Sequence, residues 1–173
     1  MSWRNRPFAA TSVGLIGLTL AGCGFHPLYA EHEASGLDGQ LATVQVAQVR
    51  DRLGQALSTQ LRDSFNPTST GTPARYRLEI SLIKQEYDSA LRSDGTASHT
   101  TVRLLAHYTL RTLGDNKPVA TGDVRSENGL DVLDNQYANT IGEQTEETRA
   151  VHDIGDQIYE GVALYLRQTA AKP

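Results

Sequence analysis

Apolar side chains recur along this chain with two periods. From Arg52 to Phe65, residues Leu53, Leu57, Leu61 and Phe65 fall four apart and lie opposite Gln55, Ser58 and Arg62, the stripe of an amphipathic helix. Asn66-Pro67 closes it, because proline cannot continue the hydrogen-bond ladder and restricts the residue before it. The period then drops to two. Tyr76, Leu78, Ile80 and Leu82 alternate with polar residues, as do Val102, Leu104, Ala106, Tyr108 and Leu110, so both runs read as half-buried antiparallel strands. Between them Ser93-Asp94-Gly95-Thr96 carries turn chemistry: Gly95 tolerates positive φ and Asp94 can bond its own backbone.

Weaker signals complete the order. Leu41 to Val49, with Leu41, Val44 and Val46, predicts a short strand before the helix. Pro118 to Ser126, after the tight turn Gly114-Asp115-Asn116-Lys117, predicts another, which Gly122 and Asp123 mark as bulged or as an edge. From about Glu143 to Gln168 the period returns to that of a helix, with Val151, Ile154, Ile158, Val162, Tyr165 and Leu166 on one side and mostly charged residues on the other. Its Glu-rich first turns suit the positive end of the helix dipole, and Arg167 and Lys172 the other. The order β-α-β-β-β-α predicts an α+β fold: a two-layer sandwich in which two helices cover one face of a roughly four-stranded, mostly antiparallel sheet.

The start of the chain has a different pattern. Arg4 and Arg6 precede an uncharged apolar run from Phe8 to Leu20, the layout of an export signal and too short for a stable membrane span of about 20 residues. Leu20-Ala21-Gly22-Cys23 matches the bacterial lipobox, in which the cysteine thiol is lipidated. Cys23 is the chain's sole cysteine and has no internal disulfide partner. The expected division is a signal peptide at 1–22, an acylated tether at 23–40 containing Pro27, Gly36 and Gly39, and one domain at 41–173. Acyl chains, palmitate among them, contribute about 0.8 kcal/mol per buried CH₂ and hold such a domain on a membrane without a transmembrane helix. Gly24-Phe25 lacks the aspartate that retains enteric lipoproteins at the inner membrane, which favours the outer membrane.

Removing two arginines with the signal shifts the formal charge from −4 to −6, which argues against a nucleic-acid partner. His26, His32, His99, His107 and His152 show no metal spacing, and only His107 falls in a regular predicted strand, on its polar side beside Arg103 and Arg111. Gly36-Leu37-Asp38-Gly39 fits no phosphate loop, and no serine sits in a nucleophile elbow. Glu146/Glu147 and Asp153/Asp156 read as a solvated helix face, not as an acid/base pair. The chain reads as a non-enzyme without cofactor or metal. One concentration of charge stands out: Arg75, Arg77 and Lys84, then Arg103 and Arg111, with Lys117 at the next turn. Arg75, Arg77, Arg103 and Arg111 alternate with the apolar set and aim at the uncovered face of the sheet. That face suits phosphates or carboxylates of an anionic ligand, since guanidinium forks grip both; it equally suits solubility and edge protection.

Cys23-Gly24-Phe25-His26-Pro27-Leu28-Tyr29 resembles the opening of the lipopolysaccharide-assembly lipoprotein LptE family in its alphaproteobacterial branch, where Cys-Gly-Phe-x-Pro-Leu-Tyr recurs. The order of elements, the Arg-rich strand pair, Tyr137-Ala138-Asn139 and the helix ending Ala163-Leu164-Tyr165-Leu166 are similar to that family through most of residues 41–173. The resemblance implies a lipid-anchored protein of the cell outer membrane, on its periplasmic side within a barrel lumen. There it plugs the LptD β-barrel, assists the barrel's assembly and binds lipopolysaccharide for insertion into the outer leaflet. Strand geometry, not the family, nominates Arg77, Lys84, Arg103, Arg111 and Lys117 as the ligand-binding set. Two rival classes share the anchor: a lipid-transport auxiliary or scaffold lipoprotein unrelated to lipopolysaccharide, which would want an apolar cavity, and a surface hydrolase, which would need a clustered nucleophile and base.

Overall fold

The residues of period two pair into one four-stranded sheet in the computed structural model, which describes residues 36–67 and 71–170. Strands β1 (Val44–Val46), β2 (Tyr76–Leu91), β3 (Ala97–Thr112) and β4 (Pro118–Asp131) lie side by side in chain order. Helices α1 (Leu37–Leu41), α2 (Arg52–Phe65) and α3 (Gln136–Ala170) complete the fold. The predicted signal peptide, Cys23 and the motif Gly24 to Tyr29 lie outside the described residues.

β2, β3 and β4 form an antiparallel meander in which Leu78 faces Leu110, Ile80 faces Tyr108, and Tyr108 in turn faces Gly122. β1 runs parallel to β2, with Val44 opposite Tyr76 and Val46 opposite Leu78, so the sheet is mixed. The crossover through α2 imposes this, since a strand followed by a helix and a neighbouring strand returns in the same direction. Leu41 belongs to α1 and not to the strand, and the packed region therefore begins inside the segment expected to be tether. A single helical turn is too short to declare itself by periodicity.

The inner face of the sheet and the apolar stripes of α2 and α3 make the core. Leu57, Leu61, Leu78, Leu104, Leu110, Ile154, Ile158 and Val162 are fully buried, each worth about 1.5–3 kcal/mol relative to exposure. The rings of Phe65 and Tyr159 stack at 5.5 Å between α2 and α3. Ser58, expected on the polar side of α2, is buried as well. Its hydroxyl accepts from the Val49 amide and donates to the Gly54 carbonyl, which explains a polar residue there.

The strands extend beyond their predicted ends. β2 continues to Leu91 and β4 to Asp131, because register with β3 pairs residues whose own sequence does not alternate. The meander's longer β3 also includes His99, so His107 is not alone in a strand. β4 is the edge that Gly122 and Asp123 suggested, but the register shift falls between Leu110 and Arg111, opposite Pro118. Gly122 has another cause: a Cβ there would stand 2.6 Å from the Tyr108 ring.

α3 starts at Gln136 and has no acidic residue in its first turn, contrary to the dipole expectation. The Asn135 side chain caps it instead, accepting from the amides of Tyr137 and Ala138 at 3.0 and 3.2 Å.

Candidate binding surfaces

Strand parity sorts the basic residues into groups. Even-numbered positions of β2 and β3 face the helices, and odd-numbered ones face away. Arg77, Arg103 and Arg111 are odd and occupy the open face. Lys84 is even. It projects toward α3, where its ammonium donates to Glu143 at 2.7 Å and to Glu147 at 2.6 Å, with Glu86 at 3.3 Å. Lys84 therefore does not join the open face, and its charge is spent within the fold.

Glu147 is the second departure from the sequence reading. It is 5% exposed, not on a solvated face. Besides Lys84 it accepts from the Arg52 guanidinium, so one carboxylate ties α2, β2 and α3 together. Burial pushes this carboxyl up, but the hydrogen bonds and charges of Lys84 and Arg52 outweigh it and hold the group below the ordinary glutamate value. Burial likewise lowers Lys84, and its three carboxylates outweigh that, holding the ammonium above the ordinary lysine value.

The open face is an electrostatic lattice. Along β3, His99, Arg103, His107 and Arg111 recur every fourth residue. Each meets a carboxylate on a neighbouring strand: His99 with Asp131 at 2.9 Å, Arg103 with Glu127 at 2.8 Å, His107 with Asp123 at 2.7 Å and Arg111 with Glu79 at 3.0 Å. Arg103 also lies over the Tyr87 ring, 5.1 Å from its centroid. These acidic partners were not singled out from sequence, although the spacing on β3 was there to be read.

Arg103 and Arg111 stand eight residues apart on one strand, about 26 Å at the usual rise. They cannot share one phosphate. Arg77, directly opposite Arg111, has no acidic partner among the described residues. Arg111 also donates to the Asn116 carbonyl at 3.2 Å, which brings the β3–β4 turn and exposed Lys117 to the same end of the sheet, where Arg75 also lies. Of the five nominated residues, Arg77, Arg111 and Lys117 lie at one end of the sheet; Arg103 and Lys84 do not.

Among the described residues no cluster of histidine, cysteine and carboxylate ligands could hold a metal, and no helix is long and apolar enough to cross a membrane.

Solved structures share this fold. A lipoprotein from Caulobacter crescentus CB15 superposes with a TM-score of 0.63 at 23% identity, covering 76% of this chain and 96% of that one. The rare lipoprotein B of Shewanella oneidensis gives 0.57 at 10% identity, covering 73% and 96%. Lipoprotein B of Nitrosomonas europaea gives 0.50 at 18%, covering 74% and 83%. No curated protein matches by sequence. A family profile does: residues 41–161 match LptE, lipopolysaccharide-assembly. That span excludes Cys23 to Tyr29, so the motif first carrying the resemblance and the domain behind it point the same way independently. With most of its length inside the match, this chain belongs to the LptE family of lipopolysaccharide-assembly lipoproteins.

Proposed function

We propose that this protein is an outer-membrane lipoprotein, anchored through acylated Cys23, that plugs the lumen of an LptD-type β-barrel, assists its assembly and binds lipopolysaccharide on the way to the outer leaflet. The family match over residues 41–161 carries the reading. A two-layer domain with a charged open sheet face is compatible with a water-lined lumen, because polar side chains there keep their hydration or find partners on the barrel wall. The interior is filled by large apolar side chains, so ligand contacts fall on the surface. Arg77, Arg111 and Lys117, at one end of the sheet, are the residues assigned to lipopolysaccharide phosphates.

Mild detergent extraction tests the plug: a barrel protein is expected to co-purify in equal amounts. A monomeric lipoprotein without a barrel would refute that role. Mass spectrometry of the mature N-terminus tests the anchor, since an unmodified start at any residue other than Cys23 would end that assignment.

A further inference from the structure

β2 is far longer than the strand that covers it. β1 pairs only with Tyr76 to Leu78, whereas β2 runs on to Leu91. The Tyr76 amide and Leu78 carbonyl point to the β1 side, bonding Thr43 and Ala47. By the alternation of a strand, Ile80, Leu82, Lys84, Glu86 and Asp88 present both backbone groups on that same side. Among the described residues nothing bonds them there. The opposite rim of the sheet is treated differently: on β4 the Arg125 carbonyl accepts from Gln157 of α3.

The bare edge also has a floor. Past β1 the chain turns away at Asp51, whose φ of +76° starts α2. This leaves a groove of about 230 Å³ between the α2 N-terminus and β2, lined by Asp51, Arg52, Leu53, Leu82 and Lys84. Its near part is apolar, at Leu53 and Leu82. Further along, Glu86 and Asp88 take over, and Lys84 is already held by Glu143 and Glu147.

We propose that the outer edge of β2 from Ile80 to Asp88 is a strand-acceptor site for an extended segment of another protein, apolar where it faces Leu82 and basic where it faces Glu86 and Asp88. Backbone pairing supplies affinity and alternate side chains supply selection. Inward-facing charges are how edges resist indiscriminate pairing. Against a second copy of this chain, antiparallel registers centred on Lys84 or on Glu86 set like charges opposite each other, whereas the register centred on Gln85 sets Lys84 against Glu86, so self-pairing is an outcome the test must separate from binding of another protein. The assignment does not depend on the lipopolysaccharide reading.

The test uses the isotope-labelled full chain in detergent and a synthetic peptide of about ten residues alternating valine and threonine and ending in two arginines. A matched peptide ends in two glutamates, and a third carries alternate N-methylated amides. The arginine peptide is expected to slow amide exchange about tenfold at Leu82, Lys84 and Glu86. Ile83 and Gln85, which already face β3, are expected to stay unchanged. It should bind several-fold more tightly than the glutamate peptide, and the N-methylated peptide should not bind. Glu86→Pro removes one outward amide at a position where an edge tolerates proline and should abolish binding. Glu86→Ala should keep binding and lose part of the charge preference. Unchanged exchange at the even-numbered amides, equal binding of all peptides, or protection that grows with protein concentration alone would each overturn the proposal.

Discussion

Among the described residues Glu147 is the charged side chain that the fold buries. A buried carboxylate is tolerable only when its charge is answered, and Arg52 and Lys84 answer it from two other elements. Glu147→Gln is expected to cost about 1–3 kcal/mol in denaturant unfolding. The loss stays below that of a wholly buried pair because Lys84 keeps Glu143 and Glu86, and Arg52 is largely exposed. The folded carboxyl sits below its unfolded value, so its contribution is whole above that unfolded value, about 4.3, and drains away as pH falls through the folded one. The stability gap between the parent and Glu147→Gln should therefore narrow in acid. A gap constant from pH 7 to pH 3 would dissociate Glu147 from the ion cluster. Tyr108 makes the complementary case for shape. Its ring lies against Gly122, and a Cβ on Gly161 of α3 would stand 2.2 Å from its hydroxyl oxygen. Gly161→Ala gains about 1 kcal/mol of helix propensity, yet it should destabilise the protein by about 1–3 kcal/mol through overpacking. Adding Tyr108→Phe should restore most of that, because the nearest ring carbon is 3.1 Å away. Failure of the second change to rescue the first would mean that backbone, not the hydroxyl, sets the close approach.

At the scale of elements, the amphipathic stripes were legible and the ends were not. α2 occupies Arg52–Phe65 as its spacing of apolar residues requires, and the buried residues of α3 are largely those of its stripe. The start of α3 was obscured because Gln136 to Gly142 packs on little: Tyr137 and Ile141 are exposed, so no stripe marks the first turns. The cap, not burial, defines that end. Asn135→Ala should raise amide exchange across the first turn of α3 and cost about 1 kcal/mol locally, while the melting temperature barely moves; a fall of many degrees would show the first turn to be part of the cooperative core. Lys84 was nominated with the arginines for a related reason, although it has the even parity of Leu78, Ile80 and Leu82. Its neighbours Ile83 and Gln85 do not continue the alternation of Leu78, Ile80 and Leu82, so the sequence alone did not carry that parity far enough to put Lys84 under α3. The parallel setting of β1 needs the crossover, a relation between elements that no single residue encodes.

Across the whole molecule, the proposed binding of an anionic lipid by an acidic chain requires a small local excess of positive charge, and the open face shows how narrow that excess is. Arg103, His107 and Arg111 all have carboxylate partners, and Arg77 is the unopposed guanidinium beside Arg111. Paired arginines are not lost to a ligand, but a phosphate must compete with the carboxylate already present. Removing that competitor should therefore strengthen binding, the opposite of what most surface substitutions do. Glu79→Gln leaves an amide of similar size beside Arg111 and frees its guanidinium for the end of the sheet shared with Arg77 and Lys117. Lipopolysaccharide affinity is expected to rise about threefold to tenfold at low salt, with the gain shrinking as ionic strength increases. The pair is partly exposed, so stability should change by less than about 1 kcal/mol. Glu127→Gln frees Arg103 by the same logic, but about 26 Å along the strand it should leave the affinity unchanged. Equal gains from the two variants would mean that the face acts through its summed charge, and a loss at Glu79→Gln would remove Arg111 from the ligand site.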